Sequence, residues 1–248
     1  NLDWERAFIH FWKKHSHGHL IAVPHSTIRY WDLRYFDDRR VWDSKDILSQ
    51  PIADQIAVNG PLSWNTFKRA KQPLDRMIKV EALRYLHLDK KKRHNLLKNN
   101  FSTNEKKKIY FLILGDILFE TTDAMLKLLE FSHELLKEKY DLTFKPHPAT
   151  PIDIQDYPNL RLKISNVDLD KLFDKFQGVI CSIYTSASVE AASLGLPVVT
   201  ILDNKELNYS ALYDDKVTCF VSTKSELKKV LARHHDVRIN KNNNNIYF

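Results

Sequence analysis

The chain reads as an α/β protein built on a doubly wound parallel sheet, and three observations lead there. Short, mostly apolar runs such as IYFLIL (109–114) and PVVTIL (197–202) alternate with stretches whose apolar residues recur at helical spacing. Runs apolar on both faces suit parallel strands, because such a sheet is covered by helices on each side. The runs also end in loop-forming groups: Gly115-Asp116, Pro146-His147-Pro148 and the serine-rich residues 182–188. In this architecture ligands bind at the carboxyl ends of the strands, where those groups would lie.

The elements follow in order. Residues 1–14 (NLDWERAFIHFWKK) predict an amphipathic helix with Trp4, Phe8, Phe11 and Trp12 on one face, and the lack of an initiator methionine predicts a piece of a longer protein. Residues 19–23 predict a buried strand ended by Pro24, with His25-Ser26-Thr27 where it opens into a loop. Residues 28–42 (IRYWDLRYFDDRRVW) are too charged for a core helix and too aromatic for a plain linker. A second strand over 52–59 closes at Asn59-Gly60-Pro61, and Pro61 suits the first turn of a helix over 62–71. Residues 77–80 give a third short strand.

Beyond a basic stretch the pattern restarts. A strand over 109–114 precedes a long helix over 122–140, with Met125, Leu128, Leu129, Leu135 and Leu136 at helical spacing. Strands are predicted over 141–145, 160–162, 178–181, 197–202 and 220–221. Helices are predicted over 169–176, 186–194 and 225–234, the last capped by Ser225. The Asn-rich residues 240–244 form a polar tail or loop. The expected division is a Rossmann-like domain over 1–88 with fewer strands than a full one, a basic linker over 89–108, and a second Rossmann-like domain over 109–248.

Composition narrows the function. At 248 residues, 43% hydrophobic and 11% aromatic, the chain is not disordered and can bury a sizeable core. No apolar run approaches the ~20 residues that span a bilayer. Two cysteines, Cys181 and Cys219, cannot form a disulfide framework, and the expectation is a reducing, cytoplasmic setting. With only five glycines, neither a Walker loop nor a GxGxxG fingerprint can be written, so any phosphate must be held by another device. The net charge is +7, concentrated in Lys90-Lys91-Lys92-Arg93 and Lys106-Lys107-Lys108. Such runs read as a solvated linker rather than a nucleic-acid site; attraction to an anionic membrane surface or substrate is the alternative. The histidines outside the loops have neither the cysteine partners nor the carboxylate spacing of a metal site, and no metal is assigned.

The candidate phosphate- and nucleoside-binding residues come from three loops of the second half. They are Gly115 and Asp116 after one strand, Lys145, His147 and Pro148 after the next, and Thr185, Ser186, Ser188 and Glu190 around a helix start. Hydroxyls and backbone N–H groups at a helix start suit a phosphate without glycine. A histidine held between prolines can donate to a phosphate or a nucleoside hydroxyl, and Glu190 can accept from a ribose or base. An ordinary helix cap and a rigid turn are the plain alternatives for each motif alone; their occurrence together on one sheet edge favours function.

KPHP (145–148), the Ser/Thr-rich turn and VEAASLGLPVV (189–199) together resemble the nucleotide half of GT-B glycosyltransferases. The likeness is to bacterial sialyl- and Kdo-type transferases that use CMP-activated sugars and carry a His-Pro and a Ser-Ser/Thr motif. HSTIRYWDLRYFDD and VNGPLSW further resemble bacterial surface carbohydrate biosynthesis proteins. The resemblance implies two Rossmann-like domains facing a cleft. His147 and Pro148 would contact the cytidine nucleotide, and Thr185, Ser186 and Ser188 its phosphate, although Thr-Ser-Ala-Ser replaces a clean Ser-Ser pair. It implies metal-independent transfer of an acidic sugar, Kdo or sialic-acid-like, to a surface polysaccharide or lipid-linked glycan. Such an enzyme would need no cofactor beyond its nucleotide-sugar donor, would bind no nucleic acid, and would work at the inner face of the membrane.

Transfer needs a base for the acceptor hydroxyl, or a carboxylate nucleophile if configuration is retained. The candidates are His25, Asp32 and Asp37, the last in an acidic pair where sialyltransferases have a following Gly and this chain has Arg39. Arg29 and Arg84 are candidates for a sugar carboxylate or an acceptor phosphate. The alternatives are a UDP-sugar transferase or CDP-polyol phosphotransferase on the same scaffold, or a non-catalytic nucleotide- or sugar-binding module.

Overall fold

A computed structural model describes residues 2–43, 51–88, 108–213 and 218–233, and in it every pair of neighbouring strands is parallel. The linker residues 89–107, with most of the lysine runs, and residues 240–244 lie outside the described residues. Two compact units divide at Leu86 and His87.

The amino unit contains α1 (Asp3–His15), β1 (Ile21–Ala22), α2 (Arg39–Asp43), β2 (Gln55–Asn59), α3 (Gly60–Arg69) and β3 (Met77–Val80), with the sheet in the order β1-β2-β3. Its core joins Ile28, Val58, Phe67 and Met77, with Tyr35, Phe36 and Trp64 packed around them. Pro61 sits in the first turn of α3, where its missing N–H costs no helical bond. The polar side of α1 faces inward: Arg6 reaches Asp37 at 3.2 Å and Lys13 reaches Asp54 at 2.6 Å, while Trp4, Phe8 and Phe11 are exposed.

The expected buried strand over 19–23 is a two-residue edge strand, with Ile21 and Val23 exposed. The Asp54 carboxylate takes the Leu20 N–H at 2.8 Å, and the Asp54 and Gln55 N–H groups both donate to the Leu20 carbonyl. That closes the ladder on one side, and Pro24, which has no N–H, follows on the other.

The carboxyl unit runs β4 (Ile109–Leu114), α4 (Phe119–Phe131), α5 (His133–Leu136), β5 (Tyr140–Lys145), β6 (Leu162–Ile164), β7 (Gly178–Cys181), α6 (Ala187–Ser193), β8 (Val198–Ile201), β9 (Thr218–Val221) and α7 (Lys224–Arg233). The sheet order is β6-β5-β4-β7-β8-β9. Counted from β4 this is the 3-2-1-4-5-6 order of the Rossmann fold. The chain winds outward from β4 to one edge and returns to β7 on the other side of β4, so the strand order reverses between β4 and β7. Phe111, Ile113, Phe144, Ile180, Val199 and Val221 from the strands meet Met125, Leu129 and Leu227 from the helices in one core. Gly178 opens β7 because the Phe111 ring of the adjacent strand fills the space a Cβ would need.

Four local expectations shift. The single helix over 122–140 is two, α4 and α5, broken at Ser132 (φ −103°, ψ 9°), whose N–H bonds to Leu129. The third strand lies two residues beyond 160–162, because the pairing with β5 runs from Leu142↔Leu162 to Phe144↔Ile164. The helix over 169–176 is two tight 3-10 turns, Leu169–Lys171 and Phe173–Lys175, since so short a segment offers little return for nucleating a regular helix. The cap of α7 is Thr223, not Ser225. Its Oγ1 accepts the Glu226 N–H at 3.2 Å while the Glu226 carboxylate takes the Ser222 and Thr223 N–H groups.

Candidate functional site

The point where a doubly wound sheet reverses leaves a crevice between the loops that follow the two central strands. Here those loops begin at Gly115 after β4 and at Ser182 after β7, and the loop after β5 joins them through Gly115. The Gly115 N–H donates to the Lys145 carbonyl at 2.9 Å. A Cβ on Gly115 would lie 2.8 Å from the His147 nitrogen and 3.2 Å from the Pro146 Cα, so only glycine lets the two loops approach. Further out, Thr150 donates its hydroxyl to the Ile117 carbonyl at 2.6 Å and its N–H to the His147 carbonyl at 3.1 Å. The histidine loop is therefore tied to residues 115–117 at both ends.

Asp116 ties the other side. Its side chain is buried, with Oδ1 accepting the Ile117 N–H at 2.7 Å and Oδ2 accepting the Tyr184 N–H at 2.9 Å and the Ser182 hydroxyl. Its own N–H donates to Thr122 Oγ1 at 2.8 Å, which adds the first turn of α4. The sequence placed Asp116 in contact with the donor. Its carboxylate oxygens are instead turned inward and occupied, and the residue shapes the rim by holding the loop after β7 against the loop after β4.

His147 is half-buried on this rim. Its Nδ1 accepts the Ala149 N–H at 3.2 Å, so in the neutral ring the proton sits on Nε2, which is a donor. Lys145 is half-buried at the end of β5, and Pro148 is exposed. In the turn after β7 the hydroxyls divide. Ser188 is buried and its Oγ donates to the Thr185 carbonyl at 2.8 Å, which removes it from direct ligand contact. Thr185 and Ser186 are half-buried and remain the hydroxyls at the surface of the turn. Glu190, in α6, lies 3.7 Å from His87 Nε2, too long for a hydrogen bond but close enough for an ion pair once the histidine is protonated. His87 carried no sequence signal, because the contact joins residues far apart in the chain.

An aromatic pair also escaped the sequence reading. Tyr184 stacks on Tyr209 with ring centroids 5.0 Å apart, and its hydroxyl donates to Glu206 at 2.5 Å. Burial, reinforced by the Glu206 carboxylate, pushes the Tyr184 phenol well above its ordinary range, so it stays neutral. The carboxyl rim thus offers an imidazole N–H, two hydroxyls and the Lys145 ammonium, a set suited to an anion.

In the amino unit the three catalytic candidates separate. Asp32 is buried in a bidentate pair with Arg34 (2.8 and 2.7 Å). Burial raises its pKa, but the Arg34 hydrogen bonds and charge outweigh it and hold the carboxyl below the usual value, which makes it a poor proton acceptor. Asp37 is likewise committed, its carboxylate to Arg6 and its carbonyl to the Gln72 side chain at 3.1 Å. Both carboxylates therefore serve the structure of this unit rather than the base role expected of them. His25 is exposed in the loop beyond β1. Arg29 is half-buried and adds to the positive field on Asp32; Arg84 is exposed in the turn after β3. Among the described residues no three His, Cys, Asp or Glu side chains cluster as a metal site would require, and no helix is long and apolar enough to cross a membrane.

No family model matches the chain, and no curated protein matches it in sequence. Solved structures do match in fold. The UDP-GlcNAc 2-epimerase of Methanocaldococcus jannaschii, in complex with UDP-GlcNAc and UDP, superposes with a TM-score of 0.56 over 92% of this chain at 16% identity. The UDP-GlcNAc 2-epimerase of Neisseria meningitidis, bound to UDP-GlcNAc, gives a TM-score of 0.51 over 86% of this chain at 14% identity. The chain spans 65% and 61% of these two proteins, under two thirds of either. At such identities the likeness is one of fold, and the fold is α/β, Rossmann-like and of the GT-B kind.

Proposed function

We propose that the carboxyl rim of the six-stranded sheet binds the nucleotide of a sugar donor, and that the chain acts in a glycosyltransferase. The observation that carries this reading is the joining of three loops at the strand-order reversal. Asp116 and Gly115 hold the loops that carry His147 and the Thr185-Ser186 turn on one rim, so that an imidazole and two hydroxyls lie together there. The donor we favour is a CMP-activated acidic sugar of the Kdo or sialic-acid kind, on the resemblance of the His-Pro and Ser/Thr motifs. The acceptor would be a surface polysaccharide or lipid-linked glycan, met at the inner face of the membrane, and no metal or other cofactor would be needed.

In such a transfer the acceptor oxygen bonds to the anomeric carbon as the bond from that carbon to the CMP phosphate oxygen breaks. The departing phosphate gains charge, and His147 Nε2–H with the Thr185 and Ser186 hydroxyls would stabilise it. His25 would take the acceptor proton, since Asp32 and Asp37 are occupied by Arg34 and Arg6. Arg29 and Arg84 would meet the sugar carboxylate or an acceptor phosphate.

A second reading is a UDP-sugar enzyme, favoured by the UDP-GlcNAc carried by the two proteins of like fold. One titration separates the readings. Calorimetry with CMP, CDP and UDP should give the tightest binding for CMP, weakened at least tenfold, about 1.4 kcal/mol, by His147→Ala. In the same preparation His25→Ala should abolish donor-dependent transfer and leave CMP affinity unchanged. Preference for UDP would move the reading to the second enzyme, and indifference of all three nucleotides to His147→Ala would remove the donor site.

A further inference from the structure

The opposite, amino-terminal edge of the same sheet carries a cavity of about 150 Å³. A water molecule needs roughly 10–15 Å³ on a comparable measure, so the space admits a small organic ion. Three neighbouring strands begin here. Lys108 precedes β4, Tyr140 and Asp141 open β5, and Arg161 and Lys163 flank the start of β6. The break between α4 and α5 sets His133, Leu136 and Lys137 over them.

Nearly every polar group on this wall already has a partner. Lys163 pairs with Asp141 at 2.7 Å, and Lys137 with Glu134 at 2.5 Å. His133 Nε2 lies 2.9 Å from the same Glu134 carboxylate, and its Nδ1 faces the Glu130 carbonyl. The Tyr140 hydroxyl donates to the Leu231 carbonyl, and the Asn159 amide to Glu130. Lys108 and Arg161 are the exceptions: neither has an ion-pair partner among the described residues. Their charges flank a wall made of Leu136, Leu142 and Leu160 and of the paired polar groups just described.

We propose that this cavity is a binding site for a small phosphomonoester, its phosphate held by Arg161 and Lys108 and its organic body lying on the leucines. A guanidinium presents two parallel N–H donors to a tetrahedral oxyanion and an ammonium adds a point charge, so the pair suits a dianion. The three leucines give an ester with an apolar body an advantage over free phosphate. The six residues of β4 set this site roughly 20 Å from the carboxyl rim, so it is separate from the candidate donor site.

The test is calorimetric titration of the whole chain with phenyl phosphate, inorganic phosphate and phenol. Saturable binding is expected for phenyl phosphate, weaker binding for inorganic phosphate and the weakest for phenol. Arg161→Ala should weaken the ester at least tenfold, and Arg161→Glu should abolish binding. Both substitutions are at an exposed position, and unchanged melting temperatures without ligand would show that the fold is kept. Equal affinity in wild type and Arg161→Ala would overturn the proposal. So would a preference for inorganic phosphate, or loss of the ester's binding in His147→Ala, which would put the ligand on the carboxyl rim instead.

Discussion

Gly115 shows how a single missing methyl can organise a site. Its backbone angle is not one reserved for glycine; what forbids a side chain is the His147 nitrogen 2.8 Å from where a Cβ would stand. Gly115→Ala must push the histidine loop away or strain β4, at a cost of about 1–3 kcal/mol for overpacking a buried position. A lowered denaturant midpoint for that variant, with an unchanged slope, is the expected result. Asp116 acts in the other direction, drawing loops together through charge-assisted hydrogen bonds. The sequence brought attention to this residue because it ends an apolar strand. It could not show that the oxygens turn inward, since Ser182 and Tyr184 lie far along the chain. The same holds for Ser188, which looked like a phosphate ligand and in fact holds the turn by its bond to the Thr185 carbonyl.

Among the elements, α7 is a test of local rules. Thr223 and Glu226 form a reciprocal cap, each satisfying N–H groups at the helix start. Thr223→Ala should cost about 1 kcal/mol and lower the melting temperature by roughly 2–4 °C, whereas Ser225→Ala, inside the first turn, should change little. The strands of the carboxyl unit were legible in the sequence because residues 111–114 and 178–181 are buried in unbroken runs, and such runs have few alternatives. What failed was decided at a distance. The residues 19–23 are as apolar as a core strand, yet Asp54 closes their ladder after two residues and leaves them at an edge. The long helix over 122–140 keeps its periodicity through Ser132, and nothing local announces the break. Of the site, the two motifs on the carboxyl rim were readable as motifs. The residues that join them, Thr122, Thr150 and Ser182, are ordinary polar residues whose partners only the fold supplies.

Across the whole molecule the two units differ in what they can report. All five tryptophans fall between Trp4 and Trp64, so tryptophan emission follows the amino unit alone. Two carboxyls of that unit, Asp32 and Asp54, titrate below their usual value. For each, burial acts upward and is outweighed by the hydrogen bonds and charge of a cation, Arg34 and Lys13 respectively. A lowered folded-state pKa contributes stability that is complete above the unfolded value of about 3.9 and disappears as pH falls through the folded value. Emission should therefore hold constant from neutral pH down to about pH 4 and shift to longer wavelength below it. Asp54→Asn should flatten that dependence and lower stability at neutral pH. A spectrum unchanged to pH 2 would show that these pairs do not hold the unit together.

The inward-facing carboxylate of Asp116 has a kinetic consequence as well. Three loops already fastened to one another have little freedom left to surrender when a ligand arrives, so little of the contact energy is spent on ordering them. Encounters with the carboxyl rim should then be governed by diffusion and charge, with no slow rearrangement between collision and capture.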